Sequence, residues 1–206
     1  MYKNITGIIL SGGKSSRMGE NKSFMKIYNE YIIEKITNIM KSVFQEVIII
    51  TNEPELYEFL NINSYTDIYK NIGPLAGIHS GLKYSNTDLN FIISCDIPLI
   101  NSEIIVSIVE YTSNSLIKVP KADGYIQQLC GLYNKTLIPI IETIICDENI
   151  ENRDSIQSKR KCKIHQLINS VDSCIIEEIE KLNGYKENIF FNMNNIEDYQ
   201  KIIQEI

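Results

Sequence analysis

Apolar residues fall along this chain in two styles. Short unbroken runs occupy residues 6–10 (TGIIL), 47–50 (VIII) and 91–95 (FIISC), each closed by polar, Gly or Pro positions. Runs of that length fit strands buried on both faces of a parallel sheet. Between them, apolar residues recur every three or four positions. Ile32, Ile33, Ile36, Ile39, Met40 and Val43 predict a helix over residues 30–43, and a second is expected from Leu75 to about Tyr84, behind Gly73-Pro74. Ile104, Ile105, Ile108 and Val109 mark the inner face of a third, with Asn101 or Ser102 as its cap. Pro54 is placed to open a short helix ending near Leu60, and a weak strand is expected near residues 62–66. The order βαβαβαβα predicts a parallel sheet flanked by helices.

After Ser113 the pattern changes. Residues 116–119 and 125–133 read as strands around Pro120-Lys121-Ala122-Asp123-Gly124, whose Asp-Gly is a hairpin signal. A helix is expected over 135–145, short strands at 171–176 and 189–191, and a closing helix over 196–206. The expectation is a three-layer α/β/α fold, a Rossmann-like, mostly parallel sheet with an antiparallel strand in its C-terminal half. With no internal repeat or linker, residues 1–206 read as one domain, a nucleotide-binding half over about 1–113 and an acceptor-binding half over about 114–206.

Composition narrows the function. At 44% hydrophobic and 22% charged residues the chain reads as an ordinary globular protein. Its net charge of −6 lacks the basic footprint of a nucleic-acid binder, so an anionic ligand must be held by local donors and cations. Five cysteines without a C-x-x-C pair suggest neither a disulfide framework nor a zinc site, and only His79 and His165 are available as imidazole ligands. No apolar run reaches transmembrane length, and Met1-Tyr2-Lys3-Asn4 leads directly into the first strand, leaving no room for a signal peptide. A cytoplasmic protein without membrane association is the expectation.

The first strand runs into Ser11-Gly12-Gly13-Lys14-Ser15-Ser16-Arg17-Met18-Gly19, with Lys22 just beyond. A glycine- and cation-rich loop behind a strand offers backbone N–H groups and positive charge to a phosphate. It is not a P-loop, because Ile8 stands where the first glycine is required, nor a dinucleotide loop, because Gly12 is followed directly by Gly13.

Ligands of open α/β sheets gather where strands end. Those ends deliver the loop, Thr51-Asn52, Asp67, Asp96, and Asn192 with Asn194. Asp96, fixed by Pro98 just past a buried run, is a hard oxygen ligand suited to Mg²⁺, which takes one or two carboxylates plus water and phosphate oxygens. Cys95 reads as core, His79 as a helix residue without a partner evident in sequence, and Ser158-Lys159-Arg160-Lys161 as a solvated cluster. No nucleophile–base pair stands out. Nucleotidyl transfer needs none, since positioning and charge neutralisation carry it.

Five motifs then accumulate in order: L-S-G-G-x-S-x-R-M-G-x-x-K at 10–22, Asp67 with G-P-L-A-G-I at 73–78, C-D-x-P at 95–98, D-G-x-x-Q-x-L at 123–129, and N-x-N at 192–194 before Glu197-Asp198. The loop resembles that of nucleotide-sugar-type nucleotidyltransferases. The whole set is similar to the molybdenum cofactor guanylyltransferase family. That resemblance implies transfer of GMP from GTP to the terminal phosphate of molybdenum-bound molybdopterin, with Mg²⁺ as cofactor and pyrophosphate as product. It implies molybdoenzymes or their chaperones as downstream partners.

Carried over by position, GTP contacts fall on Leu10, Ser11, Gly12, Gly13, Lys22, Asn52, Asp67 and Asp96. Arg17, Lys22 and Asp96 take the catalytic roles, Asp96 holds Mg²⁺, and Asn192 and Asn194 are further candidates for metal or acceptor. Three departures accompany the resemblance. Ser11 replaces the usual alanine, adding a hydroxyl beside the nucleotide; Gln128 replaces a proline; Asn195-Ile196 replace Thr-Pro. The last two fall on the acceptor side. A cytidylyl- or sugar-nucleotidyltransferase with the same loop, and a non-catalytic nucleotide-binding partner of molybdoenzymes, remain as alternatives.

Overall fold

Strand β1 (Tyr2–Leu10) carries the first apolar run, its last six residues buried. Alternation along it sends Ile5 and Ile9 into one core and Ile8 and Leu10 into another, on opposite faces of the sheet. In the computed structural model, which describes residues 1–12, 22–151 and 163–205, the chain then forms a small antiparallel hairpin, β2 (Lys26–Ile27) and β3 (Glu30–Tyr31). Helix α1 (Ile32–Val43) therefore begins two residues later than periodicity suggests. Glu34 accounts for the start, its carboxylate accepting the Tyr31 N–H at 3.0 Å.

Strand β4 (Phe44–Ile50) pairs parallel to β1 with Ile8 opposite Ile48. A 3₁₀ helix over Pro54–Leu60 and strand β5 (Asn63–Tyr65) extend that edge of the sheet. Helix α2 (Pro74–Tyr84) then crosses the other face and returns the chain as β6 (Leu89–Ser94), parallel to β1 on its free side. The strand order thus reverses at β1, and the carboxyl ends of β1 and β6 flank the switch point.

Helix α3 (Ser102–Glu110) is capped by Asn101, whose Oδ1 accepts the Ile104 N–H at 2.9 Å. Strands β7 (Ile117–Ala122) and β8 (Tyr125–Ile126) form the hairpin that Asp-Gly signalled, with Asp123 at φ 52° and Gly124 at φ 79°. The stretch 125–133 is not one strand. The Gln127 N–H turns to the Pro120 carbonyl and the Cys130 N–H to Gln127, so pairing resumes only in β9 (Cys130–Asn134). Strand β9 is wedged antiparallel between β6 and β7. Its Gly131 permits the close approach, since a Cβ there would lie 2.3 Å from the Lys118 carbonyl oxygen.

Helices α4 (Ile138–Glu151) and α5 (Lys163–Ser170) follow, the latter unanticipated by sequence, then strand β10 (Ser173–Ile176) parallel to β7. The run 189–191 is not a strand. It is a turn, with Asn188 at φ 63°, that buries Ile189 and Phe190 in the core before α6 (Ile196–Glu205). The principal sheet has the order β10-β7-β9-β6-β1-β4-β5, with β8 on the outer side of β7. Apolar faces of α1, α3 and α6 fill one side, and those of α2, α4 and α5 the other. Burying each Ile or Met of α1, such as Ile33, Ile36 and Met40, stabilises the fold by about 1.5–3 kcal/mol. The three-layer, mostly parallel architecture with an antiparallel C-terminal strand is the one expected.

Candidate active site

At the switch point the strands end in step. The Ser11 N–H donates to the Ile50 carbonyl at 2.9 Å, the Thr51 N–H to Tyr65 at 2.9 Å, and the Cys95 N–H to Leu10 at 3.2 Å. These bonds carry the sheet one residue past each strand and bring Gly12, Asn52 and Asp96 to a common edge. Asp67 joins them from the segment after β5. A Cβ on Gly77, in the first turns of α2, would lie 3.3 Å from Leu10 Cδ2 and 3.7 Å from Asp67 Oδ1. Glycine there lets helix, strand end and carboxylate close up. The Ile68 N–H donates to Ser80 Oγ at 2.9 Å, fixing the segment next to Asp67.

Asn52 links two parts of this edge. Its amide nitrogen is 3.8 Å from where a Gly12 Cβ would stand, and its side chain hydrogen-bonds Asp67. Asp67 nevertheless keeps one buried oxygen, Oδ1, with no partner. Burial pushes its carboxyl above the ordinary carboxylate range, opposed by the Asn52 bond.

Asp96 sits in the turn after β6, anchored by buried Ile97 and Ile100. Burial raises its carboxyl too, against a Ser94 hydrogen bond and the Lys22 charge, which pull it down. Its Oδ1 is likewise buried and unpartnered. A buried oxygen left unmatched costs stability unless a ligand satisfies it. Among the described residues no three His, Cys, Asp or Glu side chains gather as a cage. A single hard carboxylate oxygen fits a cation held mainly by water and phosphate, as Mg²⁺ is.

Lys22 opens a 3₁₀ turn, Lys22–Phe24, and its Nζ donates to the Met193 carbonyl at 3.0 Å. The Met193 N–H in turn donates to the Asp96 carbonyl at 2.8 Å. The segment before α6 thus ties the lysine to the aspartate through its backbone, a contact that sequence reasoning missed and that no side-chain pattern signals. Asn192 and Asn194 flank Met193 and are exposed. Asn192 Nδ2 bonds the Phe190 carbonyl at 3.3 Å, and Asn194 Nδ2 the Asn192 carbonyl at 3.4 Å. Asn195 caps α6, accepting the Asp198 N–H at 2.8 Å while Asp198 accepts the Asn194 and Asn195 N–H groups. This departure from the expected Thr-Pro is therefore a working helix cap.

Ser11 behaves differently from the sequence reading. Its N–H is engaged by Ile50, and its hydroxyl lies 2.7 Å from Ser23 Oγ and 2.8 Å from Tyr57 Oη, inside the protein. The hydroxyl is engaged inside the protein, and the Ser11 N–H is taken up by the sheet. Gly13, Lys14 and Arg17 lie outside the described residues, as does the basic cluster at 158–161.

Cys95 packs against the core, as expected, and burial, then the Asp96 charge, push its thiol up. His79 has a partner after all. It is buried in α2 with Nε2 3.0 Å from Glu142 Oε1 of α4, and its ring meets Tyr69 edge-on. It clamps two helices on the far side of the sheet from Ser11.

Residues 7–162 match the family model of the MobA-like NTP transferase domain. A Clostridium perfringens (strain 13) protein, named Probable molybdenum cofactor guanylyltransferase, is 33% identical over 201 residues, covering 96% of this chain and 95% of that one. A relative of the same name from Carboxydothermus hydrogenoformans is 33% identical over 204 residues, with 98% and 96% covered. Among solved structures, molybdopterin-guanine dinucleotide biosynthesis protein A from Archaeoglobus fulgidus superposes with a TM-score of 0.77 over 98% of this chain and 100% of that one. At 20% identity that likeness speaks for the fold alone. From the matched domain and the full-length relatives, the chain belongs to the MobA-like NTP transferase family and, within it, to the molybdenum cofactor guanylyltransferases.

Proposed function

We propose that this protein transfers GMP from GTP to the terminal phosphate of molybdenum-bound molybdopterin, in the cytoplasm, and depends on Mg²⁺. The observation that carries the reading is Asp96: a buried carboxylate oxygen without a partner, within the field of Lys22, at the switch point beside Gly12.

The chemistry is an in-line displacement. An acceptor phosphate oxygen, already ionised, attacks the α-phosphorus of GTP; a new P–O bond forms as the bond to the β-phosphate bridging oxygen breaks, and pyrophosphate leaves with the charge. No protein base is required. Gly12, exposed and without a side chain, lets the triphosphate approach the backbone. Lys22, held by the Met193 carbonyl, places a fixed cation at the site, and Arg17 is the second cation that the loop motif offers. Asn52 and Asp67 orient the nucleoside end. Asp96 would hold Mg²⁺, which when bound neutralises phosphate charge in the transition state. Molybdoenzymes and their chaperones are the proposed recipients of the product.

The test supplies purified protein with GTP, Mg²⁺ and molybdopterin-bound molybdenum, and identifies the cofactor by chromatography and mass. The guanine dinucleotide form, made with one pyrophosphate per cofactor, is expected. Unchanged cofactor in the presence of bound GTP would reject the transferase reading.

A further inference from the structure

Behind the proposed nucleotide edge lies a polar cluster that the transfer chemistry does not use. Ser11 Oγ is 2.7 Å from Ser23 Oγ and 2.8 Å from Tyr57 Oη, and Ser23 Oγ donates to Cys95 Sγ at 3.2 Å. Ser11, Ser23 and Tyr57 are 5%, 1% and 1% exposed. Hydroxyls so buried are costly unless paired, and these are paired across four separate pieces of chain. Three members stand next in sequence to a proposed site residue: Ser11 precedes Gly12, Ser23 follows Lys22, and Cys95 precedes Asp96. The fourth, Tyr57, comes from the 3₁₀ helix that follows Asn52 and packs its ring on Phe24, centroids 5.2 Å apart.

Such bonds are directional in a way apolar packing is not. A methylene contact has no preferred direction; a hydrogen bond between hydroxyls is confined to about 2.5–3.0 Å and weakens steeply once its angle bends. Backbones one residue away inherit that constraint. From this placement we infer that Ser11, Ser23, Tyr57 and Cys95 are positioning residues, which hold Gly12, Lys22 and Asp96 in mutual register for the triphosphate. None of the four touches substrate. Ser11, which stands where the family resemblance implies alanine, adds the hydroxyl that joins Tyr57 to Ser23.

This inference rests on the nucleotidyltransferase reading, and the experiment separates the two. GTP, CTP and ATP are titrated by calorimetry against wild type, Lys22→Ala, Ser23→Ala and the double variant, each checked for folding by circular dichroism. The cycle is read on the nucleotide that the wild type binds tightest, so a wrong nucleotide assignment appears in the wild type alone. Ser23→Ala is expected to weaken binding about tenfold when Lys22 is present, and no more than about twofold once Lys22 is gone. In turnover, kcat is expected to fall further than KM rises, because register matters most in the transition state. Tyr57→Phe keeps the ring on Phe24, removes only the hydroxyl, and repeats the cycle should Ser23→Ala not fold. Equal losses with and without Lys22, or unchanged binding in both variants, would overturn the positioning role.

Discussion

Asp96 is predicted to destabilise the fold it serves, and Asp96→Asn exposes the conflict. The carboxylate is held above its ordinary value chiefly by burial, and its Oδ1 has no partner. A buried unsatisfied group costs about 1–3 kcal/mol, and a neutral amide of the same shape relieves the part due to charge, about 1 kcal/mol. In a chain of 206 residues that raises Tm by roughly 2–4 °C. Transfer should meanwhile fall about a hundredfold or more, since transition-state charge loses its ligand.

The pH dependence has a definite sign. With the folded pKa raised above 3.8, the native state holds the Asp96 proton where the unfolded chain has released it. The destabilisation is therefore full above the folded pKa and fades as pH falls toward 3.8, so the variant's Tm advantage shrinks over that interval. Calorimetric melts of both proteins without metal or nucleotide, taken from neutral pH downward, read the stability. Pyrophosphate release at saturating Mg²⁺ reads the activity. A lower Tm in Asp96→Asn, or a wild-type rate, would refute the reasoning. Mg²⁺ with GTP should raise the wild type's Tm by more than the variant's, because the variant's native state keeps the nucleotide contacts but has lost the metal ligand.

Two further outcomes follow from neighbouring geometry. Asp67→Asn removes a half-buried charge that burial disfavours, so Tm should hold or rise, while loss of the proposed nucleoside contact should lower GTP affinity about tenfold, about 1.4 kcal/mol; calorimetric titration and melting together check this. Gly131→Ala sets a Cβ 2.3 Å from the Lys118 carbonyl oxygen and 2.8 Å from Val119 Cγ1, and should cost about 3 kcal/mol in urea unfolding, with loss of a marginal fold as the extreme.

Periodicity made most of the sheet legible because strands buried on both faces are short unbroken apolar runs, with no polar position at 47–50 or 91–93. It failed at 189–191 for the same physical reason, since an apolar triplet that plugs the core from a turn has the composition of a strand. The hairpin after Ala122 was legible from Asp-Gly. The break at Gln127 was not, because it depends on which carbonyl, Pro120, receives the next N–H. In the site, Asp96 and Lys22 could be named from motif and topology. Their link through the Met193 backbone could not, because a main-chain carbonyl leaves no mark in the sequence. Ser11 shows the limit most clearly. Its type was visible, but whether its hydroxyl points outward or inward to Tyr57 is decided by packing against a residue 46 positions along the chain.

The most direct measurement compares GTP, CTP and ATP as donors to molybdopterin-bound molybdenum, following pyrophosphate release and product mass with the wild-type protein. GTP is expected to support turnover far above the other two and to yield the guanine dinucleotide form. CTP turnover exceeding that of GTP would contradict the guanylyl assignment, and no turnover with any of the three would contradict nucleotidyl transfer to this acceptor.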